Sequence, residues 1–236
     1  MPKVQAIFSD YDGTLCPLEL RREDAFPSPR LRRLLTKASK RVPLGIITTK
    51  DLDFIKERIP FAQGISATCG LEMQVGDKVI LDERTREPNK NLENAYRECV
   101  SKILQVRENI VIERKVSEEG DLLAFCLDWR LARNWEEAHR QAVPLLAFCR
   151  EQGLYVVESE ISPFANVYPM QIDKGTAFLK LKTEMGLTII LVEQDVKASL
   201  AASDMVYILH EGRIKAHGKA EDLGKSREIR EAYLGI

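Results

Sequence analysis

The stretch from Val4 to Leu15, VQAIFSDYDGTL, constrains this chain more than any other. Val4, Ala6, Ile7 and Phe8 make a short, nearly continuous apolar run, the pattern of a parallel strand buried on both faces. The run stops at Asp10 and Asp12, and Gly13, Thr14 and Pro17 follow. Residues i and i+2 of an extended chain point the same way, so both carboxylates project from the strand's carboxyl end. Gly13 allows the backbone to turn sharply there. In open α/β sheets, that edge is where ligands bind.

Two carboxylates beside a tight turn suit a hard cation such as Mg2+, which takes oxygen ligands and keeps several waters. They also allow one Asp to act as nucleophile and the other as acid and base. A strand ending in an ordinary polar turn accounts for a bare pair of aspartates equally well. The full string DYDGTL is far more specific. It resembles the opening motif of the haloacid dehalogenase superfamily, DxDGT preceded by an apolar strand.

The next elements fit an α/β pattern. Ser28 to Lys40 reads as a helix, with Pro29 near its start and Leu31, Leu34, Leu35 and Ala38 as an apolar stripe. Its basic residues, Arg30, Arg32, Arg33 and Lys37, read as a solvated face. Val42 to Ile47 is a strand ending in Thr48, Thr49 and Lys50, and Asp51 to Ile59 a short helix stopped by Pro60. Strand, helix and strand with hydroxyls at the tip make a βαβ unit. A tip hydroxyl can hold a phosphoryl oxygen or cap the following helix. IITTK resembles the superfamily's second motif, with Thr48 as the matching position. Ile65 to Ile80 reads as a strand and a hairpin turning at Gly76-Asp77.

Beyond Asp82 the texture changes. Leu92 to Val106 is helical, Ile110 to Val116 and Leu122 to Trp129 are strands, Trp135 to Gln152 is a helix interrupted by Pro144, and Tyr155 to Glu160 and Ala165 to Tyr168 are strands. This αββαββ order inside a doubly wound pattern predicts a separate α+β module. It resembles the type-two cap of haloacid dehalogenase phosphatases, most closely those acting on trehalose phosphate and mannosyl-phosphoglycerate. The expected fold class is therefore α/β, a Rossmann-like doubly wound parallel sheet formed by residues 1–82 and 162–236 with an α+β cap at 83–161. Arg130, Glu158 and Glu160 are charged positions in the cap region with no role assigned by sequence.

Gln171-Ile172-Asp173-Lys174-Gly175 then opens an amphipathic helix carrying Ala177, Leu179, Leu181 and Met185. Lys174 at a helix N-terminus places an ammonium beside exposed N–H groups, an anion site. IDKGTAFLKLKTEMGL resembles the superfamily's third motif, in which a lysine offsets the charge of nucleophile and phosphate. The family pattern next calls for a strand ending in an acidic pair, GDxxxD or GDDxTD, and the chain lacks it. From Thr188 it reads TIILVEQDVKASLAASDMVYILHEGRIKAHGKAEDLGKSREIREAYLGI. TIILVEQD, ASD, the hairpin ILHEGRIKAHG and REAYLG resemble the C-terminal tail of the ATP-binding subunits of branched-chain amino acid ABC transporters. No GxxxxGK[ST] loop exists to cradle nucleotide phosphates, nor an LSGGQ-like signature, so Gln194, at the switch position of that tail, has no nucleotide to sense. Thr188 to Val192 reads as a strand, Val196 to Ala202 as a helix and Met205 to Leu209 as a strand, a rhythm suited to the missing slots of the sheet. Glu193 and Asp195 then fall near the carboxyl edge.

Composition narrows the partners. Lys and Arg number 35 against 36 Asp and Glu, so bulk charge makes no case for nucleic acid or an anionic membrane. Five scattered cysteines without a CxxC pair read as buried thiols of a reducing compartment. The start, MPKVQAIFSD, lacks a signal-peptide core, and no apolar run reaches spanning length. The expectation is a cytoplasmic protein of undetermined oligomeric state. The resemblance implies a Mg2+-dependent phosphatase acting on a small phosphorylated metabolite. In it Asp10 is the nucleophile, Asp12 the acid and base, Thr48 and Lys174 the phosphate ligands, and Asp10, Asp12 and either Asp195 or Glu193 the metal ligands. The alternative is an impaired relative that binds phosphorylated ligands without efficient turnover. An ABC nucleotide-binding subunit is disfavoured by the missing P-loop.

Overall fold

The computed structural model describes residues 6–18, 20–104, 109–158, 163–187, 190–191, 200, 205–210 and 213–226. The three apolar runs of the first 70 residues become β1 (Ile7–Ser9), β2 (Leu44–Ile47) and β3 (Gly64–Ala67), parallel to one another. Helices α1 (Pro29–Ser39) and α2 (Leu52–Arg58) connect them. Each start is fixed by a side-chain cap: Ser28 accepts from Leu31 N, and Asp51 from Phe54 N. The expected hairpin is β4 (Glu72–Val75) and β5 (Lys78–Leu81), antiparallel extensions of the same sheet.

Alternation of side chains splits this sheet between two cores. Leu44, Ile46, Ile65 and Ala67 pack under α1 and α2, whereas Phe8, Ile47 and Met73 face α5 (Lys174–Glu184) through Ala177, Phe178 and Leu181. Gly45 is required by the fit: a Cβ there would lie 2.2 Å from the Phe8 ring. The sheet is therefore covered on both faces, which is why its strands read as continuous apolar runs.

A second sheet is entirely antiparallel, in the order β6 (Val111–Val116), β7 (Leu122–Asp128), β9 (Phe164–Tyr168), β8 (Tyr155–Glu158). Its last strand in sequence is Phe164–Tyr168. One face packs on α3 (Lys90–Ile103) and α4 (Trp135–Glu151) through Phe125, Leu127, Leu146 and Cys149. The other meets the first unit, where Leu123, Ala124 and Tyr168 share a cluster with Cys69 and Leu71. Pro144 does not interrupt α4. It lies on the solvent side, as does Arg140, so the carbonyl it leaves unbonded can be hydrated.

The tail divides. Ile190–Leu191 is β10, parallel to β1 at the edge of the six-stranded sheet, whose order is β10-β1-β2-β3-β4-β5. The second tail strand does not join it, which corrects the sequence reading. Instead β11 (Met205–His210) pairs antiparallel with β12 (Arg213–Lys219) in a separate two-stranded sheet, followed by α6 (Ala220–Lys225). Val206, Ile208 and Ala220, with Leu200, Ala216 and Leu223, form its own small cluster. Periodicity identifies a strand but not its partner, and the hairpin partner lies next in sequence.

Candidate active site

β1 delivers Asp10 and Asp12 to the carboxyl edge of the sheet, as its pattern requires. Between them Tyr11 points inward, completely buried, its hydroxyl donating to Ala25 O at 2.5 Å and its ring edge-on to Phe54. This anchor turns the two neighbouring carboxylates outward. Gly13, with φ +76°, closes the turn, and the N–H groups of Leu15 and Cys16 donate back to Tyr11 O.

Asp10 Oδ1 accepts from the N–H of Tyr11 at 2.7 Å, and Oδ2 from Lys174 Nζ at 2.5 Å. Lys174 is the first residue of α5, positioned by Asp173, which accepts from the N–H and hydroxyl of Thr176. Those bonds hold the Asp173 carboxyl below its ordinary range. Asp10 and Lys174, 164 residues apart in sequence, are thus an ion pair with both side chains partly open to solvent.

Thr48 lies at the end of β2, completely buried. Its hydroxyl oxygen accepts from the N–H of Lys50 at 3.1 Å, and its backbone bonds Ser66 O and Cys69 N. Thr48 shapes the turn, and the cap of α2 is Asp51, not either threonine. Lys50, which sequence reasoning passed over, reaches the site instead: its Nζ lies 3.9 Å from Asp12 Oδ1 and 3.5 Å from Glu113. Glu113 is a β6 carboxylate that Arg22 also binds, while Arg22 simultaneously binds Asp51. Burial opposes the charge on Glu113, but Lys50, Arg22 and Lys115 more than offset it and hold its carboxyl at about 2. Glu113 and Lys115 alternate along β6, so they share the face turned toward Asp12. That alternation of charged residues inside a strand was the available signal for both.

The space between the two sheets is small. About 20 Å3 is enclosed by Asp12, Thr49, Lys50, Glu113, Lys115 and Arg130, among others, room for a water and not for a sugar phosphate. Arg130 binds Asp128 and donates to Leu18 O and Leu20 O. A groove of about 390 Å3 that shares Glu113, Asp128 and Arg130 with that enclosed space opens toward Leu20–Glu23 and Val111–Arg114. Glu158 is instead on the outer surface, with His139 and Arg150. Glu160, Glu193, Gln194 and Asp195 lie outside the described residues.

The carboxylates of Asp10 and Asp12 offer the hard oxygen donors that Mg2+ takes, and Asp10 is one-third exposed. Among the described residues no group of three or more His, Cys, Asp or Glu gathers as a metal site.

The architecture has known counterparts. A trehalose-6-phosphate phosphatase related protein superposes with a TM-score of 0.60 at 16% identity, covering 77% of this chain and 75% of that one. The C-terminal domain of the Candida albicans trehalose-6-phosphate phosphatase gives 0.59 at 20%, over 73% and 60%. A haloacid dehalogenase-like hydrolase of Bacteroides thetaiotaomicron gives 0.55 at 16%, over 79% of each. The fold is haloacid dehalogenase-like. Sequence relatives point elsewhere. An uncharacterised ABC transporter ATP-binding protein of Rhizobium meliloti is 32% identical over 73 residues, 31% of this chain and 27% of its own. The branched-chain amino acid transport ATP-binding proteins BraF of Pseudomonas aeruginosa and LivF of Archaeoglobus fulgidus are 24% and 27% identical over 127 and 152 residues. The chain spans about a quarter to just under two-thirds of the length of these curated relatives. No family model matches.

Proposed function

We propose that the chain is a phosphatase that hydrolyses a small phosphorylated metabolite, a sugar phosphate, through an aspartyl-phosphate. One observation carries this reading: Asp10, bound to Lys174 at 2.5 Å, stands at a sheet edge with Asp12 two residues on. An arriving phosphoryl group takes over the Lys174 ammonium, which then offsets its charge while Asp10 Oδ attacks phosphorus in line. The phosphorus–oxygen bond to the leaving alcohol breaks as Asp12 supplies the proton to that oxygen. Asp12 next removes a proton from water, whose oxygen attacks phosphorus and frees Asp10 and inorganic phosphate. Thr48 is the second phosphate ligand in this scheme, and residues 83–161 act as the cap. The enclosed space admits no substrate, so the cap must swing away first, breaking the Glu113 pairs with Lys50 and Arg22.

Mg2+, held by the Asp10 carboxylate, the Asp12 carbonyl and either Glu193 or Asp195, would neutralise phosphoryl charge. Support comes from β10: Leu191 lies opposite Phe8, and Glu193 follows Leu191 at the interval at which Asp10 follows Phe8. The test is hydrolysis of p-nitrophenyl phosphate by the full chain with Mg2+ and with EDTA. Turnover that needs the metal is expected, and none under any divalent ion would overturn the reading. The missing acidic motif favours a second reading, a phosphate binder without turnover. Changing Glu193-Gln194 to Gly-Asp separates the two: a rise in Mg2+-dependent turnover supports the enzyme, while phosphate binding with no turnover in either form supports the binder.

A further inference from the structure

No acidic residue occurs between Asp24 and Asp51. In that interval α1 and the turn after it carry Arg30, Arg32, Arg33, Lys37, Lys40 and Arg41, all exposed. Elsewhere on the surface, helix cations are interleaved with acids: Arg97 pairs with Glu93, Lys102 with Glu98, Arg140 with Glu137 and Lys225 with Glu221. Among the described residues none of the six has a carboxylate partner. A near-zero net charge therefore conceals a segregated one. At 3.6 residues per turn, Arg30, Arg33, Lys37 and Lys40 fall on the face opposite Leu31 and Leu35, which pack against the core. Four of the six cations, with Pro29 and Thr36, border a shallow groove of about 620 Å3. Leu34, 56% exposed, stands beside them, next to Val42.

The shape and chemistry choose among polyanions. A single convex helix cannot surround a nucleic-acid strand, and no aromatic residue between Phe26 and Phe54 offers a base a stacking surface. A plane of phosphate headgroups meets the whole cationic row at once, and a leucine at its margin enters the headgroup layer more readily than it stays in water. We propose that the outer face of α1 docks the protein peripherally on an anionic phospholipid membrane. None of the residues bordering the enclosed space between the sheets belongs to α1, so docking leaves the cleft free, and the proposal stands apart from the hydrolytic reading.

The test is co-sedimentation of the full chain with vesicles of phosphatidylcholine alone or with about one-third phosphatidylglycerol. Binding is expected to the anionic vesicles only, and to disappear at about 0.5 M salt. Each cation near such a surface contributes a factor of about 5, so reversing Arg33, Lys37 and Lys40 to Glu is expected to weaken binding more than ~100-fold with an unchanged thermal melt. Should that variant not fold, Arg33→Gln with Lys37→Gln is expected to weaken it ~25-fold. The proposal is overturned by no sedimentation with anionic vesicles at low salt, by equal sedimentation with neutral ones, or by retention by the charge variants. Displacement from vesicles by equimolar single-stranded RNA overturns it in favour of nucleic acid.

Discussion

Residues 6–187 and the tail beyond them solve the same problem differently. The first region buries each sheet against helices or against the other sheet, and its polar groups are drawn into a network from Asp12 to Asp51. The tail gives the main sheet a two-residue strand, then closes its hairpin on a cluster of its own. The contrast shows how differently two edges of one sheet constrain their sequences. A parallel edge asks only for an extended apolar segment with free N–H and C=O groups. The edge proposed as catalytic asks for particular side chains at particular positions, and among the described residues Asp10 and Lys174 meet there.

The sharpest way to break that division is to remove the proposed nucleophile, Asp10. Asp10→Asn is nearly isosteric and cannot form an acyl phosphate, so Mg2+-dependent hydrolysis of an aryl phosphate should fall by more than ~10^4-fold with an unaltered circular dichroism spectrum. Wild-type turnover in this variant would return the site to the tail or elsewhere. Ending the chain after Leu187 tests the tail's share. β1 then loses a neighbour and presents an open edge, so the shortened protein should aggregate and lose its cooperative melt. A soluble, cooperatively melting product would make the tail an appendage and dismiss Glu193 and Asp195 as metal ligands.

Smaller effects sharpen the picture within the first region. Lys174→Met should reduce vanadate affinity by about 10- to 100-fold, the worth of a charge-assisted bond, and barely move the melting temperature, because the side chain is 41% exposed. A large stability loss with unchanged affinity would mark a structural lysine. Glu72 provides the pH test. One of its oxygens accepts from Glu118 N and the other, buried, has no partner among the described residues. Burial first, and then the charges of Glu118, Asp53 and Asp51, push its carboxyl up to about 7 despite that bond. The folded state thus holds this proton more tightly than the unfolded chain. Its contribution to stability is complete below about pH 4.5 and is lost as pH rises to about 7, by of order 1–3 kcal/mol. Thermal melts of Glu72→Gln should lack that decline, and an identical decline in the variant would assign it to another group.

What sequence made legible follows one physical line. The β1 pattern, the βαβ unit, the hairpin at Gly76-Asp77 and the start of α5 at Asp173-Lys174 are local, and periodicity and capping express them directly. The meeting of Asp10 and Lys174 was legible only through a family resemblance. Arg22, Lys50 and Glu113 were missed because their partners are distant: Arg22 and Glu113 are 91 positions apart, Lys50 and Glu113 are 63. No short-range pattern encodes such pairs. Thr48 was picked for its position, and its buried hydroxyl oxygen accepts from the Lys50 N–H, a local bond that a strand-end threonine favours.

The enclosed space beside Asp12 also has a kinetic consequence. In the proposed phosphatase, opening the cap parts the ionic clasp of Lys50, Arg22 and Glu113 as well as the apolar cluster that Leu123 and Ala124 share with Cys69 and Leu71. Moderate salt should therefore act as an activator, loosening the clasp and quickening substrate entry and product exit, before higher salt screens the attraction of the phosphate for Lys174. Turnover plotted against ionic strength would then rise and fall, with its summit marking the point where release ceases to be the slow step.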